Sequence, residues 1–167
     1  MKRFLLVITI SVLLAGICAA AAPANFAGTW VLDKEKSESL SRQLQNVDSL
    51  TWVITQDDKH VTLEAKAVAG GQERPAQKYT YNLDGSETTV EISGRMPGKA
   101  TLKARWMDDG KILELNSVRN LSVQGNEFTI TTKEHWELAE GGKVLKVHQM
   151  SETPRGSQES KLVFNKQ

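Results

Sequence analysis

The sequence has almost no cysteine, little proline and no excess of either charge, and each shortage removes a class of protein. Cys18 is the single cysteine. It lies inside the N-terminal apolar run, so a chain that loses this run has no disulfide, no thiol nucleophile and no cysteine-ligated metal. Four prolines leave no proline-rich linker to divide the chain. The formal net charge of +1 gives no electrostatic pull towards nucleic acid or an anionic membrane. There is no Gly-x-Ser-x-Gly elbow, and Gly70-Gly71 lacks the Lys-Ser/Thr of a phosphate loop. His60, His135 and His148 are spread along the chain. No catalytic residue, cofactor or metal ligand set is assigned, and the expectation is a non-enzyme.

The N-terminus reads as an export signal. Lys2 and Arg3 precede an apolar run from Phe4 to Ile17, and small residues from Ala19 to Ala22 offer cleavage sites. Pro23 is a poor residue directly after a cut, which favours cleavage just before Ala22 or after Ala24. The run falls short of the about 20 residues of a transmembrane helix. Ile17 is too large for the position before a lipid-bearing cysteine. The expected organisation is a signal peptide over 1–22, its end between residues 20 and 24, then one domain over 23–167. That domain is secreted or periplasmic, with no stable membrane insertion after cleavage. At roughly 145 residues it can bury a sizeable core.

Short runs of alternating apolar and polar residues then recur, separated by turn signals at Asp57-Asp58-Lys59, Asp84-Gly85, Asp109-Gly110, Gly125-Asn126 and Gly141-Gly142. Period-two alternation puts one set of side chains on each sheet face. Candidate strands are Thr29–Leu32, Leu50–Gln56, His60–Ala67, Gln77–Leu83, Thr88–Ser93, Ala100–Trp106, Lys111–Val123, Glu127–Leu138, Lys143–Met150 and Lys161–Asn165. A turn at Asp109-Gly110 sets Trp106 against Leu113 and Arg105 against Glu114. One at Gly141-Gly142 sets Leu138 against Leu145, Trp136 against Val147 and Glu137 against Lys146. One at Asp57-Asp58 sets Ile54 against Val61 and Trp52 against Leu63. Apolar pairs inside and opposite charges outside are what a correct register produces. Residues 36–46 form a short helix capped by Ser37, or an ordered loop. Pro154 to Ser157 reads as a solvated loop. The fold class is all-β: an antiparallel up-and-down meander of about eight to ten strands, closing into a barrel. A two-sheet sandwich would bury the same face.

The start of the domain, Asn25-Phe26-Ala27-Gly28-Thr29-Trp30-Val31-Leu32-Asp33, resembles the entry to the calycin superfamily, where Gly-x-Trp opens the first barrel strand. Together with Lys36-Ser37, Tyr81-Asn82-Leu83-Asp84-Gly85 and Trp136-Glu137-Leu138, it is similar to secreted bacterial lipocalin-like proteins. The resemblance implies a barrel whose end is closed by Trp30, with Lys161 or Lys166 as its basic cap, and a cavity for a small apolar molecule. The other reading is that Trp30 is a core aromatic of a filled sheet.

Two groups of polar residues stand out. In the Gly141-Gly142 register His135 faces His148 on the outer surface, but no third ligand is apparent, so no metal site follows. A turn at Gly125-Asn126 would set Arg119 opposite Thr132 and diagonal to Glu134, all inward. A buried charge costs several kcal/mol unless paired. Arg119 and Glu134 are therefore either a structural pair or, with Tyr79 or Tyr81, the cradle for a ligand's polar head. A bulge near Ser117–Asn120 would instead turn Arg119 outward, since the implied strand exceeds the usual length of about 3–10 residues. The candidate ligand-binding residues are Trp30, Tyr79, Tyr81, Arg119 and Glu134. The expected function is an extracytoplasmic barrel binding a small hydrophobic or amphipathic molecule. The alternative is a filled module acting through its surface on an unknown protein partner.

Overall fold

The computed structural model describes residues 22–94 and 96–167. Apart from Ala22, the expected signal peptide lies outside the described residues. The rest is one antiparallel sheet of 11 strands. In chain order these are β1 (Gly28–Leu32), β2 (Ser49–Gln56), β3 (His60–Ala69), β4 (Gln72–Glu73), β5 (Gln77–Asn82), β6 (Thr88–Ile92), β7 (Gly98–Met107), β8 (Ile112–Val123), β9 (Asn126–Ala139), β10 (Val144–Thr153) and β11 (Gly156–Lys166). Consecutive strands pair throughout, except that β1 joins β2 to β11 and both β4 and β5 pair with β3. The sheet curls until β5 packs near β7. Among the described residues no ladder joins β5 to β6, so side-chain packing closes the sheet there.

Alternation explains the strands. In β2, Leu50, Trp52 and Ile54 are buried while Thr51 and Val53 are half-buried on the other face. β8 and β9, 12 and 14 residues long, exceed the usual strand, yet their pairing runs unbroken from Ile112↔Glu137 to Val123↔Asn126. No bulge interrupts Ser117–Asn120, so Arg119 stays inward.

The hairpins at Asp109-Gly110 and Gly141-Gly142 have the expected registers. Two others are displaced by two residues. Ile54 pairs with Leu63 and Trp52 with Ala65, because Asp57 Oδ1 accepts the backbone N–H groups of Lys59 and His60, both at 2.7 Å. That Asx turn moves the reversal to Asp58-Lys59. Between β8 and β9 the reversal sits at Gln124-Gly125, both with positive φ (52° and 82°), the backbone of a tight hairpin. Arg119 then pairs with Ile130, and Thr132 with Ser117. A shift of two keeps every side chain on its face but changes its neighbours.

The helix is shorter than expected. α1 spans Arg42–Gln45, and its cap is Ser41, which accepts from the Leu44 N–H. Ser37 instead ties the segment to β11, donating to the Asp33 carbonyl at 2.6 Å and accepting from the Val163 N–H at 3.0 Å. β11 begins at Gly156, so Gly156-Ser157 is strand and the loop shrinks to Pro154-Arg155.

Aromatic residues fill one end of the barrel. Phe26, Trp30, Trp136 and Phe164 are fully buried. Trp52 stacks on Phe164 at 4.2 Å and on Trp136 at 5.4 Å, and Phe26 meets Trp136 edge-on at 5.8 Å. The N-terminal segment plugs this end. Ala24 N–H donates to the Gly110 carbonyl at 2.8 Å, and Gln56 binds both Ala24 O (2.9 Å) and Phe26 N–H (3.0 Å). Trp30 donates its indole N–H to Phe26 O at 2.8 Å. Lys166, not Lys161, covers it, with Nζ 5.0 Å from the ring centroid; Lys161 pairs with Glu38 at 3.0 Å. A Cβ on Gly28 would lie 2.7 Å from Lys166 Cε, and its φ is +146°, so the glycine of Gly-Thr-Trp makes room for that lysine. Phe164→Ala is expected to cost about 3–5 kcal/mol of stability, read as a fall in the urea midpoint.

Candidate functional site

The inner face of β8–β11 changes character within a single row. Leu113, Trp136, Val147 and Leu162 form one apolar cross-strand row. The next is Leu115, Glu134, Gln149 and Ser160, and beyond it lie Ser117, Thr132, Ser151 and Gln158. Arg119 and Ile130 follow. Residues of the apolar row are buried, whereas inward-facing Arg119, Ile130, Glu134, Gln149 and Ser151 keep part of their surface accessible. The lumen is thus filled at one end and open and polar at the other.

Glu134 accepts from Trp136 Nε1 at 2.8 Å and from Gln149 Nε2 at 2.7 Å, one donor on each oxygen. Burial raises its pKa above the ordinary carboxyl value; these two hydrogen bonds and the charge of Arg119 offset only part of that. Arg119 Nη2 lies 3.4 Å from Thr132 Oγ1, itself 3.4 Å from Ser151 Oγ. Arg119 Nε is buried with no partner. Of the readings left open for Arg119 and Glu134, the direct ion pair does not form among the described residues, because the two-residue displacement sets Arg119 opposite Ile130 and Glu134 opposite Leu115. Tyr81 is buried, and its pKa is raised, first by burial and then by the nearby charges of Glu134 and Tyr79. Its hydroxyl therefore remains a donor.

Of the five candidates, the structure gathers Tyr81, Arg119 and Glu134. Tyr79 lies beside them, its hydroxyl 3.5 Å from Gln77 in an exposed position. Trp30 is at the filled end and offers no surface to a ligand. Thr132 was noted only as the partner of Arg119, and Gln149, Ser151 and Ser160 were missed. Gln149 and Ser151 continue the alternation of Leu145 and Val147, so their inward phase was readable; Ser160 was lost by starting the last strand too late. The segment between β1 and β2 crosses this end, packing Leu40, Leu44 and Val47 on the core, while Ser160 Oγ donates to Ser39 O at 2.8 Å.

A second depression, of about 420 Å³, lies at the rim around Gly98, Leu121 and Phe128. Its lining includes Lys99 and Glu127, both on the outward phase of their strands, whereas the interior cluster gathers its charged groups on the inner face. On the outer face His135 does oppose His148, with ring centroids 6.1 Å apart. Each instead bonds a carboxylate, Glu114 at 3.0 Å and Glu159 at 2.6 Å. Among the described residues no group of three His, Cys, Asp or Glu side chains is placed to hold a metal.

The curled antiparallel sheet has a counterpart of similar fold among solved structures. The fold resembles that of zebrafish ileal bile acid-binding protein. That protein was solved with cholic acid; the match covers 85% of this chain and 98% of the other, at 15% identity and a TM-score of 0.53. At this identity the likeness establishes the fold and nothing finer. No protein-family model matches the sequence. No curated protein matches it either.

The raised pKa of Glu134 makes the stability of this curled sheet pH-dependent. Between the unfolded carboxyl pKa of about 4.3 and the higher folded value, the native state binds more protons than the unfolded one, so Glu134 lowers stability as pH rises through that window. Glu134→Gln should remove this decline, seen as a smaller difference between urea midpoints at pH 5 and pH 7.5 than in the wild type.

Proposed function

We propose that this chain is an extracytoplasmic barrel that binds a small amphipathic molecule, with the ligand's polar head at Arg119, Tyr81 and Thr132 and its apolar body against Ile130, Val90 and Ile92. The observation that carries the reading is the half-buried, inward-facing guanidinium of Arg119, which makes one long hydrogen bond to Thr132 and leaves its Nε without a partner. Leaving a buried donor unsatisfied costs about 1–3 kcal/mol, so Arg119 gains when a ligand head draws its guanidinium onto an acceptor. The complex of the zebrafish protein with cholic acid supports a binding role by analogy of fold. The reading is non-catalytic: both oxygens of Glu134 are occupied by donors.

The filled-core alternative draws on the aromatic end, which leaves no room beside Trp30 and Trp136. Native mass spectrometry of the protein purified from its own host separates the two. A small molecule that leaves on denaturation, with a melting temperature that rises across a lipid panel in the wild type but not in Arg119→Met, is the expected result. A clean apo mass with no shift for any lipid would transfer the role to the outer surface.

For the export step, the reading is that a bacterial secretory signal is removed just before Ala22. The plug made by Ala24 and Phe26 supports this over a cut after Ala24, which would discard the hydrogen bonds of Ala24 to Gly110 and Gln56. The intact mass of the exported protein should begin at Ala22; a mass beginning at Asn25 would overturn this.

A further inference from the structure

The polar half of the lumen has a donor and acceptor balance that goes further than a generic amphiphile. Both Glu134 oxygens are occupied, by Trp136 and Gln149. What remains available is the half-buried guanidinium of Arg119, the Tyr81 hydroxyl and the weakly engaged hydroxyls of Thr132 and Ser151. The site therefore offers donors and one positive charge, and it suits a head made of acceptors.

Charge is the second constraint. Among the described residues the titratable groups facing Glu134 are Arg119 from β8 and Tyr79 and Tyr81 from β5. Its neighbours on β10 and β11 are neutral Gln149, Ser151 and Ser160, and β2, β3 and β7 contribute apolar Leu50, Trp52, Leu63, Ala100 and Leu102. In the segment over this end, Arg42 is exposed and Lys34 is engaged with the carbonyls of Val47 and Gln45. With Glu134 ionised, Arg119 just balances it. An anionic head entering this space would leave one uncompensated negative charge in a low-dielectric interior, which is costly.

Building on the binding reading, we infer that the lumen takes an amphiphile with a singly charged anionic head seated on Arg119, and that Glu134 takes up one proton from solvent as this ligand enters. Gln149 makes the exchange possible without rebuilding the site. Its amide presents NH₂ to the carboxylate, and after rotation it presents Oε1 to the carboxylic acid. Trp136 keeps donating to the other oxygen in both states. Burial already favours the protonated carboxyl, and the ligand's charge pushes in the same direction. Affinity for the anion therefore rises as pH falls, until Glu134 is protonated in the free protein as well.

Dodecanoate and dodecanol, which share a chain and differ in head charge, test this by isothermal titration calorimetry on the exported protein between pH 8 and pH 6. Dodecanoate should bind up to about tenfold tighter per pH unit lowered, with proton uptake approaching one per ligand in buffers of different ionisation heat. Dodecanol should bind with no pH dependence, and Glu134→Gln should bind dodecanoate with a flat profile and no uptake. Dodecanoate binding without proton uptake, a pH slope that survives in Glu134→Gln, or binding of dodecanol alone would each overturn the inference and leave the binding reading standing. No binding of either probe at any pH would overturn both.

Discussion

The interior depends on the ladder between β8 and β9 running without a break. Over strands this long, one bulged residue would invert the phase of everything beyond it. Arg119 would turn to solvent, and the polar half of the lumen would lose its positive charge. The ladder holds from Ile112 to Val123, and the turn at Gln124-Gly125 holds its register. Glu134 and Thr132 then point inward by parity, and β10 brings Gln149 and Ser151 alongside.

That ladder also joins two interiors of opposite character. The aromatic end, sealed by Phe26 and the plug around it, supplies the burial that a domain without disulfides needs. This leaves the other end free to carry groups that weaken the fold: a carboxyl with a raised pKa and an arginine with an unpartnered nitrogen. Polar groups placed against stability mark a functional site more clearly than well-paired ones. Trp136 links the two ends, its ring in the aromatic cluster and its N–H on Glu134.

The outer face handles its charges differently. Arg105, Glu114, His135, His148 and Lys161 form one cross-strand row. Burial alone would raise the pKa of Glu114, but hydrogen bonds from His135 and Asn116 and the charges of Arg105 and Lys133 hold it below the ordinary value. The histidine pair is thus part of a paired surface. Outside, solvent and neighbours satisfy each group; inside, Arg119 Nε has neither.

From the sequence came the parity of almost every strand residue, the hairpins at Asp109-Gly110 and Gly141-Gly142, the all-β class and the inward phase of Arg119, Glu134 and Tyr81. Alternation with period two is local, so it survives in a single string of residues. Tertiary structure decided what parity leaves open. Period two assigns a face but does not choose between registers two residues apart, and the turns at Asp58-Lys59 and Gln124-Gly125 made that choice through backbone conformation. This is why the sequence placed Arg119 and Glu134 inside together and yet left open a direct pairing that the register does not make. The filling of one lumen end, the meeting of Tyr81 on β5 with Arg119 on β8, and the gap between β5 and β6 follow from how far the sheet curls. Curl is a property of all the strands packed together, and no segment encodes it alone.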